Sequence, residues 1–149
     1  MKIVKNSLVA AIALVTSSAA FAQATTTANF SVSASVLAFC KVSANNIVIA
    51  PITAGDTTGP KSSTGGVSVN CTNATTYTLG VPATLTLGLA GGGFDIPSTL
   101  AIAAPSGTGA GFGAGKVQSH TVTATIQEAA YENARAGNYS ATTTVTLTY

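Results

Sequence analysis

The sequence predicts an antiparallel β-sandwich, and three observations carry that prediction. The composition favours strands, period-two alternation recurs along the chain, and turn residues are frequent without any strand–helix–strand repetition. Thr occurs 24 times and Gly 15 times in 149 residues. Thr and Val suit a pleated, half-buried surface and are poor helix formers. Hydrophobic residues make up 46 %, enough to bury a core and to argue against charge-driven disorder. Charged residues make up only 7 %. That excludes a nucleic-acid binder resting on a basic patch, because neutralising phosphates needs clustered Lys and Arg.

The first residues read as a secretory signal peptide over 1–22. Lys2 and Lys5 give a basic start, Leu8 to Val15 a short apolar run, and Ala20-Phe21-Ala22 a small-x-small cleavage site. The run is shorter than the ~20 residues of a membrane span. Cleavage after Ala22 leaves a chain beginning at Gln23. In that chain Lys41, Lys61, Lys116 and Arg135 balance Asp56, Asp95, Glu128 and Glu132. Nothing in this balance steers the protein toward a charged partner.

Alternation then marks the elements in order. In residues 28–36 the even positions are Ala28, Asn-flanked Phe30, Val32, Ala34 and Val36, and the odd ones are polar. Residues 46–52 form a short apolar run ended by Ala54-Gly55-Asp56. Val67, Val69 and Cys71 share one face of a second strand. Tyr77, Leu79, Val81, Leu85 and Leu87 mark one or two more, interrupted at Pro82. Residues 88–115 are rich in Gly, Ala and Ser and read as long loops around one weak strand, an edge or bent strand because it holds Pro97. Residues 120–126 alternate again. Residues 127–136 are the one helix-compatible stretch, weakened by the like charges Glu128 and Glu132 at i,i+4. The final run, 139–149, places Tyr139, Ala141, Val145, Leu147 and Tyr149 on one face.

Residues that carry chemistry are few. An exported chain with two cysteines, Cys40 and Cys71, is expected to pair them in a disulfide. A metal site would need more ligands than two thiolates and His120 provide. His120 is the single histidine and lies in an alternating strand, with no activated nucleophile beside it. The four carboxylates are scattered, and Gly115-Lys116 lacks the flanking residues of a phosphate loop. The reading is therefore a non-enzyme with no cofactor and no metal.

One feature is unusual for a sandwich. The alternation from Ala28 continues almost to Cys40 without a turn residue. As one strand it would be about twice the usual five or six residues. It is either an ordinary first strand or a segment that another molecule covers, since a free apolar alternating strand invites aggregation.

Three stretches together resemble a known family. They are the alternation from Phe30-Ser31-Val32-Ser33-Ala34-Ser35-Val36 to Cys40, the second Cys strand Gly66-Val67-Ser68-Val69-Asn70-Cys71-Thr72, and the ending Ala136-Gly137-Asn138-Tyr139-Ser140 to Thr146-Leu147-Thr148-Tyr149. They resemble the Spore Coat Protein U domain family of archaic chaperone–usher pilins. The middle of the chain departs from the family: Asn45-Asn46-Ile47-Val48-Ile49 stands where a Phe-Gly is frequent, and a Gly-rich stretch where an aromatic-rich strand is frequent. The resemblance implies an incomplete immunoglobulin-like antiparallel β-sandwich, completed by a donor strand from a neighbouring subunit. It implies an N-terminal donor extension over 23–36 and a pilin domain over 37–149. Ala28, Phe30, Val32, Ala34 and Val36 would be donor positions, and Val145, Leu147 and Tyr149 would line the acceptor groove. The implied partners are identical or related pilin subunits, a periplasmic chaperone and an outer-membrane usher. The implied location is a cell-surface pilus reached through the periplasm, serving adhesion or biofilm formation. A secreted monomeric module binding carbohydrate or ice is the alternative that the Thr-rich faces leave open. The absence of Trp and the presence of only four Tyr weigh against sugar stacking.

Overall fold

A computed structural model describes residues 23–149, so the expected signal peptide, 1–22, lies outside the described residues. The chain divides into two units, Met1–Ala34 and Ser35–Tyr149. In the first, residues 23–34 carry no secondary structure and every side chain is exposed. The second unit holds nine strands and one helical turn.

These are β1 (Cys40–Ala44), β2 (Lys61–Cys71), β3 (Thr76–Gly80), β4 (Thr84–Leu89), β5 (Asp95–Ala103), β6 (Ser106–Thr108), β7 (Gln118–Ile126), α1 (Glu128–Tyr131), β8 (Tyr139–Ser140) and β9 (Thr146–Thr148). One sheet has the order β1-β2-β7-β5-β4-β8, the other β6-β3-β9. Every pairing is antiparallel. The fold is an immunoglobulin-like β-sandwich, nearly all β.

Alternation sets the faces. On β2, Val67, Val69 and Cys71 point inward, and on β7 Val122, Ala124 and Ile126 do. The positions that alternate with them are less buried: Ser68, Asn70, Thr123 and Thr125 are half-buried and Thr121 is exposed. The inward residues join Tyr77, Leu79 and Leu100 in one cluster, while Ile96, Ile126 and Tyr131 form a second. Cys40 stands opposite Cys71 in the β1–β2 register, with their Cα atoms 4.1 Å apart, and the two are joined by a disulfide.

Of the two readings of the alternation from Ala28, the ordinary first strand is not what the structure holds: residues 28–39 lie in no strand, and the β1–β2 ladder begins at Cys40, with the Thr72 N–H donating to the Phe39 carbonyl beside it. The apolar run 46–52 forms no strand either. Two expectations are corrected. The Gly-rich stretch, expected to hold one weak strand, contains the nine-residue β5, paired on both sides with β4 and β7. Pro97 is tolerated there because the β5–β7 ladder covers only Thr99 to Ala103 and leaves Pro97 beyond it. The C-terminal run is not one strand but two. β8 pairs with β4 in the larger sheet and β9 with β3 in the smaller, so residues 141–145 cross between the sheets.

Candidate functional site

A cleft of about 900 Å³ has as its floor the inward face of the larger sheet: Leu85, Leu87, Ile96, Leu100, Val122, Ala124 and Ile126, with Tyr131 also in its lining. Residues 45–52 form one wall, and residues 136–143 with Val145 the other. Ile47, Ile49 and Ile52 are half-buried along the first wall, and Val145 is half-buried in the second.

The wall at 45–52 approaches the floor where Gly65 makes room. A Cβ on Gly65 would stand 2.6 Å from Ile47 Cγ1 and 3.0 Å from the Asn45 carbonyl. Asn45 N–H donates to the Gly66 carbonyl at 2.9 Å. Beyond it, among the described residues, 46–52 and 141–145 make no backbone–backbone hydrogen bonds. Two rows of unpaired peptide groups thus line one apolar trough.

The cleft is apolar in its charge as well as its floor. Arg135 is the one charged residue among its described lining residues. Ser98, buried in the floor, already donates its hydroxyl proton to the Leu85 carbonyl at 2.8 Å. Tyr131 donates its hydroxyl to the Gly59 carbonyl at 2.6 Å, and burial raises its pKa. Beside it Lys61 pairs with Asp56 at 2.8 Å. Hydrogen bonds from Lys61 and Thr58 hold the Asp56 carboxyl at about 2, and the same pair raises the Lys61 pKa.

His120 sits away from this cleft in a structural role. Its Nδ1 lies 2.8 Å from the Ala104 carbonyl, which only accepts, so in the neutral ring Nδ1–H donates and Nε2 accepts from the Tyr77 hydroxyl at 2.7 Å. The contact ties β7 of the larger sheet to β3 of the smaller. Burial raises the pKa of Tyr77. Among the described residues no group of three or more His, Cys, Asp or Glu is placed to hold a metal ion.

The residues singled out by sequence fall as follows. Ala28, Phe30, Val32, Ala34 and Val36 are all exposed and in no strand; Phe30 is 87 % exposed. Val145 lines the cleft. Leu147 instead pairs with Leu79 across β3 and β9 and packs on the main cluster. Tyr149 is 55 % exposed beside a shallow dish on the smaller sheet, lined by Thr76, Thr78, Ser106, Thr108 and Thr148. The floor residues of β4, β5 and β7 were not singled out from sequence. Their inward parity was readable, but which part of the core lacks a cover depends on where the last strand changes sheets.

The fold is an immunoglobulin-like sandwich with an apolar cleft along it. The family comparison agrees with this class: the model of the Spore Coat Protein U domain matches residues 26–91. Over residues 26–91 the chain is thus similar to the Spore Coat Protein U domain, the family of archaic chaperone–usher pilins. The match spans the N-terminal segment, both cysteines and β1 to β4. No curated protein and no solved structure matches the chain. Among the described residues no helix is long and apolar enough to cross a membrane.

Proposed function

We propose that this protein is the structural subunit of a surface pilus and polymerises by strand exchange, the segment around 26–36 of one copy filling the cleft of the next. The observation that carries this reading is the pairing of an unfilled apolar trough, walled by unpaired backbone, with an exposed alternating segment in the same sequence. Their lengths agree. Eight wall residues, 45–52, span ~26 Å and the nine residues 28–36 ~30 Å, at ~3.3 Å per residue. Ala28, Phe30, Val32, Ala34 and Val36 form the face that enters, since a strand places i, i+2 and i+4 together. Each Val or Phe so buried contributes roughly 1.5–3 kcal/mol. Before polymerisation a periplasmic chaperone covers the same trough, and an outer-membrane usher exchanges it for the incoming subunit. The assembled fibre serves adhesion or biofilm formation at the cell surface. The protein needs no cofactor or catalytic group for this role.

The deciding experiment removes residues 23–34 from the subunit while leaving its export signal and chaperone in place. Loss of fibres and of heat-resistant oligomers supports strand exchange. Long fibres built from the truncated subunit would overturn it.

A further inference from the structure

The eighteen residues from Gln23 to Cys40 contain no Asp, Glu, Lys, Arg or His. Once the chain is cut after Ala22, the only charge in this segment is the new α-ammonium of Gln23. An α-amine titrates near pH ~8 and is mostly protonated at neutral pH. Such a cation is poorly matched to the cleft, where Arg135 is the one charged residue among the described lining and is itself positive. In the strand-exchange reading the charge lies a few residues before the segment that enters the cleft, and an uncompensated charge brought up to an apolar trough opposes burial of the strand that carries it.

The residue at this terminus has a chemical way out. Glutamine carries a side-chain amide at the reach of a five-membered ring from its own α-nitrogen. Gln23 is exposed, and residues 23–34 have no secondary structure that would hold the amine and the amide apart. We propose that Gln23 is a modification site and closes to pyroglutamate after export. The α-nitrogen attacks the side-chain Cδ, the N–Cδ bond forms and the Cδ–Nε2 bond breaks. The amide nitrogen leaves with the transferred proton as ammonia, and nothing is oxidised or reduced. The product is a neutral lactam. The donor segment then carries no charge over its whole length, and exopeptidases that require a free α-amine find none. The site rests on the export reading, and its consequence for assembly rests on the strand-exchange reading above.

The test is mass spectrometry of the exported subunit after reduction, alkylation and cleavage at Lys41. The expected N-terminal peptide spans Gln23 to Lys41 and is lighter by one ammonia. It gives no Edman sequence until it is treated with pyroglutamyl aminopeptidase. A synthetic Gln23–Lys41 peptide carried through the same handling reports closure caused by the procedure. The Gln23→Ala subunit is expected to give the peptide at full mass with a free amine. An uncyclised Gln23 terminus, or closure no greater than in the synthetic control, overturns the proposal. A peptide starting at another residue overturns it through the export reading. A closed Gln23 on a subunit that never forms oligomers upholds the modification and removes only the strand-exchange reading.

Discussion

Cys40 and Cys71 show how single residues hold this domain. They face each other across β1 and β2 and close a loop with a sequence separation of 31. Cross-linking a loop of that size restricts the unfolded chain by roughly 3–4 kcal/mol. The Cys40→Ser/Cys71→Ser pair is therefore expected to lower the denaturant midpoint by the equivalent of roughly that amount in equilibrium unfolding of the chaperone-free subunit. Gly65 acts by having no side chain. Gly65→Val would drive a methyl into Ile47 and the Asn45 carbonyl, and crowding of this kind costs about 1–3 kcal/mol. It is also expected to push the wall at 45–52 off the floor, seen as faster amide exchange at Asn45, whose N–H bonds to Gly66. Asp56 supplies a pH dependence. Its folded pKa of about 2 lies below the ordinary value of 3.8, because Lys61 and Thr58 hydrogen-bond the carboxylate. A depressed carboxyl stabilises the fold above pH 3.8 and loses that effect as pH falls toward 2. Melting curves at pH 6 and pH 2 are expected to differ less for Asp56→Asn than for the parent. The pair is partly exposed, so the difference is small and shrinks with salt.

At the scale of elements, alternation predicts faces well and partners poorly. The inward sets of β2 and β7 were legible because a period of two leaves no choice once one member is apolar. The segment 28–36 has the same period, yet it forms no strand, because a ladder needs a second chain segment and none among the described residues pairs with it. Composition misled in the opposite direction at 95–103. Gly and Pro flank β5, but Ile96, Ser98 and Leu100 point inward between β4 and β7, and that packing overrides a weak local propensity. The C-terminal run looked continuous because apolar residues keep their parity from Tyr139 to Tyr149. Its break at 141–145 is a matter of which sheet each half joins, which local pattern does not encode. The same break decides the site: of Val145, Leu147 and Tyr149, only Val145 lies on the cleft. The floor is thus the better place to test occupancy. Leu87→Asp puts a carboxylate on a half-buried floor position. Strand entry would bury it unpaired, at a cost of several kcal/mol. Such a subunit is expected to fold, with its disulfide formed, and to fail as an acceptor while still donating its own N-terminal segment. Mixed with unaltered subunits it should cap chains and shorten fibres in proportion to its share, measured by electron microscopy.

For the whole molecule, the strand exchange proposed above puts donor and acceptor in one sequence, and a protein of that kind assembles as an open-ended polymer. A donor that fits a cleft elsewhere on another copy is a head-to-tail contact, which propagates instead of closing on itself. The face of the donor can be tested residue by residue. Phe30 is the one large aromatic among the even positions of 28–36 and is exposed in the free segment, so replacing it does not touch the subunit's own core. Under the proposed strand exchange, Phe30→Asp removes the burial of this ring and places a charge against Leu85, Leu87 or their neighbours in the next copy, a loss of several kcal/mol per junction. Each 1.4 kcal/mol is about tenfold in an equilibrium constant, so a loss of this size separates long fibres from monomers and short oligomers at the same concentration. Ser31→Asp and Ser33→Asp lie on the opposite parity and leave the charge facing outward. They are expected to polymerise within a fewfold of the parent. Fibre length and heat-resistant ladders on gels measure all three. Normal fibres from Phe30→Asp with failure of Ser31→Asp would place the other face in the cleft.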